Sequence, residues 1–253
     1  MRKIISITLI TAMLTQSNCI LKSKGRLDKL WFYIHTTGDI QNEEAAATPA
    51  SFLHLEANGS YTRDFGSFDY GHWKRKDSLL LLTSERGANI AFPIKSFFAN
   101  ELGLVTAKGN VLNFESQPGK FASVADNPFS INNNQWRLPA TKKESEPELK
   151  QRLRNHCRFQ EVYFKWALDN GLPEVDVRST PSPLKIYGNG FALKEFDQLP
   201  STWRSYFFDE EDCLKANNIL KDIFQKADIG WAHTDNRFKM FVSAFQQLQQ
   251  QLK

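Results

Sequence analysis

The stretch Phe52-Leu53-His54-Leu55-Glu56-Ala57-Asn58-Gly59-Ser60-Tyr61-Thr62-Arg63 decides the fold class. Two runs of β-forming residues flank Asn58-Gly59, a dipeptide that supplies the positive φ angles of a two-residue turn, so the flanks are expected to pair as an antiparallel hairpin. Working outward, the same grammar repeats. Residues 68–74 lead into a charged turn at 75–78, the apolar run Leu79-Leu80-Leu81-Leu82 follows, and Glu85-Arg86-Gly87 ends that strand. A strand over 89–94 contains Pro93, which cannot donate to a ladder and is therefore expected at an edge or strand end. Ala107-Lys108-Gly109-Asn110 separates strands at 102–106 and 111–115, and residues 30–36 supply a strand on the N-terminal side. About eight strands, with turn signals every eight to twelve residues, predict an antiparallel β-meander domain over residues 30–116.

Trp31, the segment Leu55-Glu56-Ala57-Asn58-Gly59-Ser60-Tyr61, and Gly71-His72-Trp73 followed by Asp77-Ser78-Leu79-Leu80-Leu81 resemble the lipocalin-like domains of bacterial lipoproteins. There an early Trp, a strand running into an Asn-Gly or Asp-Gly turn, and Gly-x-Trp before a leucine strand recur in that order. The resemblance covers roughly the first third to half of the chain. It implies an up-and-down sheet curled into a whole or partial barrel, which in some relatives encloses a small apolar ligand and in others is only packed.

The chain N-terminal to this domain reads as an address. Arg2 and Lys3 precede an apolar run at 4–14 that is broken only by Ser6, Thr8 and Thr11, the order of a signal peptide over residues 1–18. The run is too short for a membrane span, which needs roughly 20 apolar residues. Thr15-Gln16-Ser17-Asn18-Cys19 resembles the lipobox of bacterial lipoproteins, which implies lipidation of Cys19 and a tether over 19–29. Cleavage to a soluble secreted form is the alternative. The expected location is the bacterial cell envelope, as a periplasmic or outer-membrane lipoprotein.

Composition narrows the partners. Removing residues 1–18 takes away Arg2 and Lys3 and no acid, leaving 30 basic against 28 acidic residues, net +2. Nucleic-acid binding, which needs a clustered basic face, is not expected. With Cys19 acylated, Cys157 and Cys213 remain as an even set; in an oxidising compartment they could form a disulfide, and on apolar helix faces they could equally stay as buried thiols.

Residues 117–144, rich in Pro, Asn and charged turn formers, read as a linker, and 145–253 as an α-helical domain. Ser145 with Glu148 three residues on predicts a capped helix start, and Leu149, Leu153, Cys157, Val162, Tyr163, Trp166 and Ala167 share one face until Gly171 and Pro173. A second helix is predicted from Asp209 with Cys213, Ala216, Leu220, Ile223, Phe224 and Ala227 inward. A third, from Thr234 or Asp235, turns Phe238, Phe241, Val242, Phe245, Leu248 and Leu252 inward, and its Gln246-to-Gln251 run is expected to be solvated. The whole is an α+β chain: a β-meander or lipocalin-like partial barrel followed by helices.

The segment 176–190 is the candidate ligand-binding loop. Arg178, Ser179, Thr180, Lys185, Tyr187 and Asn189 could hydrogen-bond an anion or a glycan, although Pro and Gly turns also make rigid connections. None of the five histidines has metal-site spacing, so no metal or cofactor is expected. The acidic run Asp209-Glu210-Glu211-Asp212 suits a helix N-terminus better than a cation. The functional expectation is an exported, lipid-anchored protein of non-enzymatic binding type, whose partner is a small apolar molecule, a glycan or an envelope protein. The alternatives are a hydrolase-like enzyme drawing on His156, His233 and Asp235, and a structural component of the envelope.

Overall fold

The computed structural model of the protein describes residues 25–38, 51–172, 199, 201–226 and 236–253. Its β-part consists of β1 Leu30–Thr37, β2 Phe52–Leu55, β3 Ser60–Asp64, β4 Phe68–Lys76, β5 Leu79–Ser84, β6 Asn89–Phe97, β7 Glu101–Val105 and β8 Val111–Gln117. Every strand pairs antiparallel with its sequence neighbour, and β1 pairs with β8 from Leu30↔Gln117 to Thr37↔Val111. The expected partial barrel is thus corrected to a complete one. Closure has a physical reason: it satisfies the backbone groups that two free edges would leave open to pairing with another chain.

The turns differ from expectation in one detail. Glu56 N–H donates to Ser60 O, Gly59 N–H to Glu56 O, and Gly59 alone carries the positive φ, at +87°. This is a three-residue loop in which a type I turn is followed by a left-handed glycine, rather than a two-residue turn. The pattern recurs around Gly87 and Gly109. Pro93 is likewise not at an edge. It lies within β6 opposite Leu79, the last residue paired with β5, and the β7 ladder begins only at Ile94↔Leu104. Ile94 N–H points to Ser78 O on the β5 side, so the nitrogen of Pro93 faces the side where no ladder has yet started, and no hydrogen bond is lost.

Strand alternation produces two cores. Trp31, Tyr33, Leu53, Leu55, Tyr61, Leu80, Leu82, Phe92, Leu102, Leu104, Leu112 and Phe114 point into the barrel. The alternate residues Leu30, Phe32, Phe52 and Phe68 point outward, yet they are buried under the helices. That double burial explains why all four residues of β2, His54 included, are buried where a half-exposed strand would alternate. Inside the barrel, Trp31, Leu53, Leu80 and Leu104 have 0% exposure and Leu55, Leu82 and Leu102 1%. A void that admitted water would give its lining atoms accessible area, so the lumen at these positions is packed solid.

The helical part comprises α1 Ile131–Asn134 with a following 3-10 turn Gln135–Arg137, α2 Glu146–Asp169, α3 Ser201–Arg204, α4 Glu210–Lys226 and α5 Arg237–Gln251. The capped start of α2 is present: Ser145 N–H donates to Glu148 Oε2 at 2.8 Å. Its end is closed by Gly171 at φ +63°, with Leu172 N–H on Ala167 O and Gly171 N–H on Leu168 O. The expected stripe of α2 is buried, and so are His156, Phe159, Gln160 and Phe164. This helix is covered on two sides, by the barrel with residues 121–138 and by α5. Asp209 accepts from Asp212 N–H at the start of α4, and Asn236 accepts from Phe238 N–H at the start of α5, one or two residues later than expected.

Two readings of polar residues change. Residues 117–144 carry Phe129, whose ring meets Phe32, Phe52, Tyr163 and Trp166 at centroid distances of 5.0 to 6.1 Å and so joins barrel to helix. Two of this segment's turn-forming asparagines are buried structural groups: Asn133 Nδ2 donates to Asn127 O at 2.8 Å and Asn134 Nδ2 to Ser130 O at 2.8 Å, closing the loop from within. In the glutamine run, Gln246 and Gln249 both donate to the carboxylate of Glu161 on α2, at 2.9 and 2.8 Å, and so pin α5 to α2.

Candidate functional site

Cys19 and the loop residues Arg178, Ser179, Thr180, Lys185, Tyr187 and Asn189 lie outside the described residues, as do His233 and Asp235. Cys157 and Cys213 are described. Both are buried free thiols, so the disulfide raised by their even number is not formed in this structure. Burial pushes the Cys213 thiol up to about 12 and that of Cys157 well above its ordinary range, which disfavours the reactive thiolate.

Two polar clusters stand out among the described residues. The first is inside the barrel. Asp69 on β4 accepts from Tyr61 Oη at 2.8 Å, from Ser84 Oγ at 2.6 Å and from Arg63 Nη2 at 3.1 Å. Burial alone raises a carboxyl, but hydrogen bonds from Ser84 and Tyr61 together with the Arg63 cation outweigh it and hold Asp69 below its ordinary range. Arg63 in turn lies over the Phe65 ring at 5.3 Å. Every partner is thereby used internally, and the cluster closes the lumen instead of offering a free charge to a ligand.

The second lies in the seam between barrel and helices. Arg137, whose side chain is 1% exposed, pairs with Asp64 on β3 and sits among the rings of Phe159 at 4.7 Å, Trp136 at 5.1 Å, Phe68 at 5.9 Å and Phe52 at 6.0 Å. Weak guanidinium hydration and affinity for aromatic faces make Arg the cation able to occupy such a place. Beside it, His156 of α2 is wedged between Trp136 at 4.4 Å and Trp203 at 5.3 Å, with neither ring nitrogen hydrogen-bonded. Burial, and after it the Arg137 charge, hold this imidazole down to about 3, so it is neutral at physiological pH. The Tyr206 hydroxyl in the same seam is pushed up to about 12 by burial.

A catalytic histidine needs a carboxylate or a nucleophile within hydrogen-bond reach in an open cleft. His156 has neither. His54 faces Glu56 at 3.6 Å, beyond hydrogen-bond length, and burial holds its ring below the ordinary range against the opposing pull of Glu56. His72 meets Glu85 at 3.3 Å on the exposed outer wall of the barrel. Among the described residues no group of three His, Cys, Asp or Glu is arranged to hold a metal ion. In the acidic run, Lys143 bridges Glu211 at 2.6 Å and Asp209 at 3.4 Å, while Asp212 accepts from Glu144 N–H at 2.9 Å. A cleft of about 430 Å³ opens between α2, α4 and α5 over Ile219 and Ile223. Its Lys150 and Lys226 are each paired within their own helix, with Glu146 and Asp222.

Asp69 and Arg137 escaped the sequence reading because a lone charge in a strand or turn ordinarily means an exposed position. The one available signal was the aromatic residue adjoining each of them: Phe68 beside Asp69, and Trp136 beside Arg137.

What the fold defines is a class, a closed eight-stranded antiparallel barrel with a helical layer docked on one wall. No family model, curated protein or solved structure matches the chain.

Proposed function

We propose that this chain is an exported bacterial envelope protein, anchored by a lipid on Cys19, whose barrel is of lipocalin-like type and which acts by binding rather than by catalysis. The observation that carries the reading is the N-terminal order of basic pair, apolar run, polar stop and cysteine, followed within a dozen residues by the first barrel strand at Leu30. Membrane attachment comes from that lipid; no described helix is long and apolar enough to cross a bilayer. The packed lumen favours a partner held on the outer surface, a glycan or an envelope protein, over a small apolar molecule held inside. For that partner the loop 176–190 offers Arg178 and Lys185 as cations beside Ser179, Thr180, Tyr187 and Asn189 as neutral hydrogen-bonding groups. The buried, unpartnered state of His156 counts against the hydrolase alternative.

The test is fractionation of cells expressing the wild-type chain and the Cys19→Ser variant. The wild type should sediment with membranes and the variant should not. Recovery of both in the soluble cytosolic fraction would retire the proposal. For the loop, an Arg178→Ala/Lys185→Ala double variant should lose binding to whichever glycan or envelope protein the wild type retains, and unchanged retention would remove these residues from the site.

A further inference from the structure

The antiparallel register gathers the start of β1, the β2–β3, β4–β5 and β6–β7 turns, and the end of β8 at one end of the barrel. The chain enters the fold at this end and is fastened there. Trp31 Nε1 donates to Leu27 O at 2.9 Å, and the Lys29 ammonium donates to Ala99 O in the β6–β7 turn. Phe98, at the tip of that turn, is 54% exposed, one of four large apolar side chains so placed among the described residues. Phe97 behind it packs on Trp31 at 6.2 Å and carries the Arg75 guanidinium over its ring at 5.5 Å.

Charge is concentrated at the same end. Lys29, Lys74, Arg75, Lys76, Lys95 and Lys120 face four acids, Glu56, Asp77, Glu101 and Glu115, with Arg26 and Asp28 paired to each other. Six cations against four acids leave this end net +2 among the described residues.

We infer that this end of the barrel is a membrane-docking face that takes an anionic lipid surface, with Phe98 entering the headgroup region and Lys29, Arg75 and Lys76 meeting lipid phosphates. The inference rests on the anchored reading above in one respect: Gly25 is six residues from Cys19, so a lipid there holds the rim within ~20 Å of the bilayer at ~3.5 Å per residue. An acyl chain joined to a basic patch is the pairing that makes peripheral attachment stable, and an aromatic ring beside cations suits the interface between headgroups and tails. The opposite end, carrying Lys108 in the β7–β8 turn, then faces away from the membrane.

The test places a spin label at Phe98→Cys or at Lys108→Cys in the full chain carrying Cys19→Ser, since Cys157 and Cys213 are buried and stay unlabelled. Accessibility to oxygen and to a water-soluble nickel chelate is read on phosphatidylcholine vesicles with and without phosphatidylglycerol. Position 98 should be shielded from nickel and open to oxygen on the anionic vesicles only, while 108 stays open to nickel. Adding Arg75→Glu and Lys76→Glu should weaken vesicle binding roughly tenfold or more. Equal nickel access at 98 and 108, or full binding by the charge-reversed chain, would overturn the inference. Acyl incorporation at Cys19 is followed separately in cells. Acylation with a water-exposed position 98 removes the docking face alone, whereas a lipid-buried position 98 without acylation removes the anchor and leaves the face standing.

Discussion

Replacing Arg137 with Met should be among the most damaging single changes in the molecule. The guanidinium is 1% exposed and its partner Asp64 16% exposed, so the substitution leaves a carboxylate largely desolvated with its cation gone. Breaking a buried pair from one side costs about 3–5 kcal/mol, and the residual solvent contact of Asp64 places this case near the lower figure, about 3 kcal/mol. Met retains apolar contact with Phe159 and Trp136, so most of the loss is electrostatic. Taking away the second charge as well, in Asp64→Leu/Arg137→Met, should recover all but about 1 kcal/mol. The assay is urea unfolding at pH 7 followed by tryptophan fluorescence, since Trp31 and Trp73 report on the barrel and Trp136, Trp166 and Trp203 on the helical side. A single-variant loss below about 1 kcal/mol, or a double variant whose loss equals the sum of the two singles, would show that the seam is not held by this pair.

Three further outcomes follow from the same geometry. His156 is held neutral in the folded state at about 3, below its unfolded value near 6.5, so the unfolded chain takes up a proton first as pH falls. Stability is therefore full above pH 6.5 and declines toward pH 3, by roughly 3 kcal/mol between pH 6.5 and 4. His156→Phe should flatten that slope in urea titrations, and an unchanged slope would exclude this residue as its source. Asp69→Ala strands Tyr61, Ser84 and Arg63 inside the barrel and should cost about 3–5 kcal/mol, against about 1 for Tyr61→Phe, which leaves Asp69 its other partners; equal losses in thermal melts would show that Asp69 is not the hub. Cys157 and Cys213 should resist a thiol reagent in the native protein and both react in denaturant without reductant, and reaction of neither would reveal a bridge.

Much of the barrel was legible because its turns announce themselves: Asn58-Gly59, Arg86-Gly87 and Lys108-Gly109 each place a glycine where the backbone must turn left-handed. Closure was not legible. Pleat alternation says which side chains share a face, but the pairing of Tyr33 with Phe114 spans most of the domain, and no local pattern encodes it. The Pro93 position was misjudged for the same reason, since only the register reveals that β6 changes partners there. Helices showed clearly where one apolar stripe met one partner. The double-sided burial of α2 was hidden, because His156 and Gln160 look solvent-facing in sequence. The asparagines of the linker were read only as turn formers and the two glutamines that clamp Glu161 as solvated, because a side-chain amide satisfying a buried carbonyl or carboxylate has the same composition as one facing water.

The most direct single measurement is the intact mass of the N-terminal peptide recovered from the membrane fraction of expressing cells. A peptide beginning at Cys19 and carrying the added mass of a diacylglyceryl group is the result expected here. A peptide beginning at Met1, with an unmodified Cys19, would contradict the envelope reading on which the proposed function stands.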